Sequence, residues 1–238
     1  MVDASAPAGS ARALLGTLPA ELAWAANAAA LLLLLGYHLY LRRLLARHPE
    51  ATYRGRSDRL RRAWIETVRA AHNDILAVQT LRNWVMSATL FASTAILIGL
   101  GVISVALEGL DLGALSQALS LAPTRAPLVR VKLLFIAALF FIAFLHFALS
   151  LRYYNHTGFL INLPDSHFSA DDAGLIAETL NRAGGHYNRG TRSFLLAVPL
   201  VLWLIGPDWF LLGTIAILFF LYRFDIHADR RPRPHRRD

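Results

Sequence analysis

Four long apolar runs stand out along the chain, with polar residues gathered between them. They cover Leu22 to about Tyr40, Leu81 to Ala106, Leu128 to Leu151, and Phe194 to Tyr222. A helix of about 20 apolar residues matches the roughly 30 Å hydrocarbon core of a bilayer. The pattern therefore predicts an all-α, polytopic membrane helix bundle. The last run is interrupted by "GPDW" at Gly206 to Trp209. Proline lacks an N–H and disfavours helix in the residue before it. The run reads either as one kinked span or as a short antiparallel hairpin turning at Gly206-Asp208. Each arm of such a hairpin has about 15 residues, or roughly 22 Å at 1.5 Å per residue.

The second run opens with "QTLRNWVMSATLFAST" from Gln79 to Thr94. On a helix its polar groups sort onto one half: Gln79, Thr80, Arg82, Asn83, Ser87, Thr89, Ser93 and Thr94. Trp84, Val85, Ala88, Phe91, Ala92 and Ala95 fall on the other. Polar side chains in lipid cost free energy unless paired. The polar half is therefore expected to meet a neighbouring helix, through small and hydroxylated residues, or to line a water-filled path. Before this run, Leu60, Trp64, Val68, Ala71, Ile75 and Val78 keep helical spacing. They predict one long helix from Ser57 to Ala106 that projects out of the membrane. A second polar element, "SADDAGLIAETLNRAGG", has a capping box at Ser169 and Asp172 and a stop signal at Gly184-Gly185. It predicts a short helix.

Composition agrees with the membrane reading. The 238 residues are 55% hydrophobic and only 17% charged, against about 25% charged in a soluble domain. Mean hydropathy is +0.43. The net charge is +8, and of 24 basic residues only Lys132 is lysine. Such a balance suits nucleic acid in a soluble protein, but here the arginines flank spans, where they report orientation. Ten lie between the first and second runs, four between the third and fourth, six in the tail and four basic residues elsewhere. A turn at Gly206 divides them 20 against 4, whereas a single last span divides them 14 against 10. The positive-inside rule favours the turn. Hence five membrane segments are expected in a bacterial inner membrane, with the N-terminus outside and the C-terminus inside. Residues 1–20 form an N-terminal extracytoplasmic segment and 21–224 one transmembrane domain with cytoplasmic elements at 41–80 and 152–192. Residues 225–238 form a basic disordered tail. The N-terminus lacks a basic segment followed at once by an apolar core, so the first span is expected to stay in the mature protein. The "LEGLDLGALSQALSLAPTRAP" loop is expected outside, with one short interfacial helix.

There is no cysteine, which removes disulfides, thiolate metal sites and a cysteine nucleophile. No Gly-rich phosphate loop, GxSxG or HExxH occurs, so a catalytic site is poorly supported. His38 and His146 lie in spans, and His146, Ser150, Tyr153 and Thr157 share a helix face. Ionisable groups in a membrane are functional candidates; these histidines suit proton transfer, metal or haem, or simple packing. Arg82 reads as an interfacial residue, or as a partner of Asp74 or Asp165. Glu108 and Asp111 form either an acidic outer mouth or a solvated loop.

"YHLYLRRLLARHPEATYRG", "DILAVQTLRNWVMSATLFASTAILI", "LRYYNHTGFLIN" and "GTRSFLLAVPLVLWLIGP" together resemble a family of uncharacterised integral membrane proteins of bacteria and plants, a domain-of-unknown-function family. The resemblance covers roughly Ala29 to Tyr222. It implies a multispan membrane protein and supplies no activity or cofactor. Three functions stay open. The first is an oligomeric channel or transporter for an ion or small solute, with Gln79, Arg82, Asn83, Ser87 and Thr94 as its path and His38, His146 and Tyr153 nearby. The second is a structural protein that offers its projecting helix to a cytoplasmic partner. The third is a haem- or metal-binding redox component.

Overall fold

The computed structural model describes residues 20–72, 74–108, 126–168 and 174–227. The N-terminal segment, most of the outer loop, the Ser169–Asp172 capping box and the Arg/Pro tail beyond 227 lie outside these residues, as does Asp111. Among the described residues six α-helices follow one another: α1 Ala20–Arg47, α2 Tyr53–Ala70, α3 Asp74–Glu108, α4 Ala126–Ile161, α5 Leu175–Ile205 and α6 Pro207–Tyr222. A π-helical turn, Arg223–His227, closes the described chain. No strand occurs among the described residues. Four of the described helices are long and apolar enough to cross a membrane: α1, α3, α4, and α6 with its following turn.

The helices stand side by side in the order α3, α4, α5, α6, α1. Among lipid tails the hydrophobic effect gives helices little reason to associate, so close packing and polar contacts must hold them. Both are present. Gly190 of α5 lies so near the fully buried ring of Phe147 in α4 that an added Cβ would stand 2.8 Å from it. Around that contact Phe91, Tyr187 and Phe194 pack edge-on or stacked against Phe147. At the opposite end from the arginines, the Lys132 ammonium donates to the Trp203 carbonyl at 2.5 Å. Trp203 Nε1 in turn donates to Asn27 Oδ1 of α1 at 2.7 Å.

Sequence and structure part at three places. The expected single helix from Ser57 to Ala106 is broken at residues 71–72, where His72 adopts a left-handed φ of 51°. The apolar spacing runs across this break, but its members do not share a face. Val68 is buried while Leu60, Ile75 and Val78 are exposed. Ile65 and Val68 instead pack with Leu81 of α3, Tyr154 of α4 and Leu180 of α5. So α2 lies under the arginine-rich end of the bundle rather than extending α3.

Second, Gly184-Gly185 does not stop a helix; α5 runs through both for 31 residues. Glycine costs about 1 kcal/mol against alanine in a helix interior, yet here it opens a notch. The Arg61 guanidinium lies 2.8 Å from where a Cβ on Gly184 would be, and Arg54 lies 3.3 Å from that of Gly185. Gly206, where the sequence expects a break, separates α5 from α6 in an extended conformation, φ 179° and ψ 170°. Gly213 sits against Pro199 and Leu202, so the two helices run back along each other. Third, the tail does not begin at residue 225, because Asp225 is buried and paired within the bundle.

Candidate functional site

The corner between α1 and α2 sets up the site. Thr52 caps α2, its Oγ1 accepting from Gly55 N–H at 3.1 Å. Only glycine fits at 55, since a Cβ there would fall 2.1 Å from the Pro49 carbonyl oxygen. The tight corner delivers Arg54 to the side of α5. A cavity of about 280 Å³ opens between α1, this corner, α4 and α5. Its wall carries Arg42, Arg54, Arg189 and Arg192, the histidines His38 and His146, and one carboxylate, Asp225. Leu41, Leu45 and Leu196 complete it on the apolar side.

The carboxylate is already engaged. Arg192 pairs with Asp225, and the Tyr37 hydroxyl donates to the same carboxylate at 2.5 Å. This buried triad ties α5, the π-helical turn and α1 together. It also leaves the cavity with four guanidiniums and no uncommitted acid. Arg54 Nε and Arg192 Nη1 are buried and make no hydrogen bond among the described residues. Burial lowers the affinity of Arg54 for its proton; Asp58 opposes this, and the charges of Arg189, Arg192 and Arg61 add to it. A buried cation held beside like charges favours an anion that relieves both costs.

Beside this cavity lies a second of about 380 Å³, sharing Arg54 and Arg189 with it and lined also by Tyr153, Asn181, Gly185 and His186. His146 and His186 stand between the two, their Nδ1 atoms 3.1 Å apart. One Nδ1 must donate and the other accept, so the contact cannot survive protonation of both rings. Tyr153 stacks on His186.

Of the residues expected at a site, His38 and His146 share the first cavity, and Tyr153 supports the pair from the second. The face of His146, Ser150, Tyr153 and Thr157 meets α5: Ser150 Oγ donates to the Ala183 carbonyl at 2.9 Å. The residues of α3 stand elsewhere. Gln79, Arg82, Asn83 and Ser87 are exposed and Thr94 is half-buried on the side turned away from the other helices. The apolar half of α3, with Leu81, Ala88, Ala92 and Ala95, packs inward instead. The hydroxyls turn back onto their own helix, Ser87 donating to the Asn83 carbonyl and Thr94 to that of Leu90. Arg82 lines an open groove of about 390 Å³ with Tyr154 and Asn155, apart from the arginine cavity. The side chains of Asp74 and Asp165, its expected partners, lie outside those described.

Sequence reasoning missed Arg54, Arg189, Arg192, His186 and Asp225. The arginines were counted as topology charges, and the glycine pair hid the helix that aligns His186, Arg189 and Ser193. Among the described residues no group of three or more His, Asp or Glu side chains stands close enough to share a metal ion. A family model, "Protein of unknown function, DUF599", matches residues 25–230. Comparisons with curated proteins and with solved structures return no match.

Proposed function

This chain belongs to the DUF599 family, and from the geometry of its arginine cavity we propose that it is a membrane protein that takes up an anion at the cytoplasmic end of its bundle. The observation that carries this reading is the charge of the cavity: four guanidiniums around about 280 Å³, with the lone carboxylate already bound to Arg192 and Tyr37. Sites with pre-placed guanidiniums favour anions over cations and neutral solutes. The chain is an inner-membrane protein with five segments, α5 and α6 supplying two short arms that meet at Gly206. This orientation puts the N-terminus outside and the arginine-rich end inside, in keeping with the positive-inside rule. The solute is a small anion, received in the cavity and handed past the His146–His186 pair.

The outer half of α3 has a different part. Its polar groups face no described helix of the same chain, and lipid is a poor cover for them. A second copy supplies that cover, so the protein is a homo-oligomer joined through Gln79, Asn83, Ser87 and Thr94. Anion flux into liposomes tests both assignments. Arg54→Gln lowers flux at least tenfold, the loss expected when a charged hydrogen-bond donor is removed from a binding site, while Asn83→Leu changes assembly first. Flux abolished by Asn83→Leu in a protein that still assembles, and untouched by Arg54→Gln, would place the path along α3 instead.

A further inference from the structure

The cavity is more particular than its charge alone requires. Its cations stand at two levels. Arg54 and Arg192 are partly to mostly buried, whereas Arg42 and Arg189 are exposed at the mouth. Guanidiniums reach the cavity from three elements, α1, α2 and α5, so donors are available to a ligand from more than one side. A carboxylate offers two coplanar oxygens and is satisfied by one bidentate fork. A halide offers no directions at all. A tetrahedral dianion offers three oxygens to donors arriving from several sides, and Arg is the side chain best matched to it. The volume, about 280 Å³, lies at the lower edge of the range for small-molecule pockets, roughly 300 Å³ and above. It suits a compact phosphoryl group with a short substituent better than a large solute.

The other wall is apolar and comes from the helix held least tightly. Leu41 and Leu45 of α1 face Leu196 of α5 across the cavity. α1 makes most of its contacts with α6, and little of it is buried. The cavity therefore combines a cationic floor with an apolar side beside a peripheral helix, at the end of a membrane-crossing bundle. A phosphoryl group with an apolar continuation would satisfy both walls at once.

We propose that the cavity holds a phosphate-bearing anion, its oxygens bound by Arg54 and Arg192 and its mouth closed by Arg42 and Arg189, with any apolar continuation lying along Leu41 and Leu45. This rests on the anion reading above and narrows it to one ligand chemistry. Two sources carry that chemistry, the headgroup of an anionic phospholipid and free phosphate, and the apolar wall favours the first.

The test uses the full chain in detergent, with ligand retention read by native mass spectrometry and unfolding temperature. The probes are phosphatidic acid, phosphatidylcholine, inorganic phosphate, acetate and chloride at equal ionic strength. Phosphatidic acid is expected to bind one per chain, at least about tenfold tighter than phosphatidylcholine, a gap of the size that charge-assisted hydrogen bonds produce. Arg54→Gln abolishes that preference, Arg42→Gln weakens it, and Arg59→Gln, an exposed arginine away from the cavity, leaves it intact. Leu45→Trp fills the cavity without removing a charge and abolishes retention as well, which keeps the test decisive if Arg54→Gln does not fold. Displacement of the lipid by inorganic phosphate alone, or binding of phosphate without lipid, identifies the free ion as the source and upholds the proposal. Acetate or chloride competing as well as phosphate, in an Arg54-dependent manner, overturns the phosphate assignment while the anion site stands. Binding indifferent to both Arg54→Gln and Leu45→Trp overturns both.

Discussion

At Asp225 three helical elements depend on one carboxylate. Arg192 and Tyr37 both bind it, and it is about 8% exposed. Removing one member of a buried pair leaves an uncompensated charge, which costs roughly 3–5 kcal/mol. Asp225→Ala is accordingly expected to lower the unfolding temperature sharply in detergent. Tyr37→Phe, which removes one hydrogen bond to a charged group, should cost roughly 1.5–3 kcal/mol. Equal losses for the two variants would show that the pair with Arg192 contributes little. A pH effect belongs to His186. Burial, followed by the charges of Arg189, His146 and Arg54, lowers its pKa; Tyr153 stacks on the ring and adds no charge of its own. The unfolded chain then takes up this proton first as pH falls through about 6.5. The stability His186 contributes is present above that pH and is lost as pH drops toward the folded value. Thermal unfolding between pH 7.5 and 5 should show a steeper decline for the wild type than for His186→Phe, and parallel curves would refute this.

Helix pairing rests on close approach more than on apolar content. The ring of Phe147 occupies the space where Gly190 would carry a methyl. Gly190→Ala should cost roughly 1–3 kcal/mol as an overpacked contact; a fully stable variant would mean that α4 and α5 slide without penalty. α1 is the contrasting case. Little of it is buried, and Asn27–Trp203 and Tyr37–Asp225 pin it at two points along its length. Asn27→Leu together with Tyr37→Phe should raise protease sensitivity near Pro49 before the rest of the bundle unfolds. These elements also mark how far the sequence could be read. Leu22–Tyr40, Leu128–Leu151 and the Gly206 break were visible because length and proline act locally. The break at His72 was not, since a left-handed histidine has no compositional signal. The helix through Gly184-Gly185 was hidden for the opposite reason: a tertiary contact with Arg54 and Arg61 overrides a local stop signal. His38 and His146 were legible as candidates. Their arginine neighbours were not, because nothing in the sequence separates a guanidinium bound in a cavity from one that only marks topology.

On the scale of the whole molecule, α3 divides inside from outside. Its apolar half joins the bundle and its polar half looks away from it. Asn83→Leu with Ser87→Leu should reduce the oligomeric mass measured by light scattering while the chain's own helical content stays constant. An unchanged mass would leave that face without a role in assembly. The notch at Gly184-Gly185 has a wider consequence. It means that some arginines at this end of the bundle are structural parts as well as charges of the kind that set orientation. Arg54 and Arg61 are seated against α5, and Arg192 is locked to Asp225. Insertion machinery reads charge regardless of where it will later rest, so the same side chains are read twice, once during biogenesis and once in the folded protein. Attempts to invert the protein in the membrane by deleting basic residues should therefore begin with the exposed Arg43, Arg47, Arg59 and Arg62. Starting with the seated ones would turn an experiment on orientation into one on misfolding.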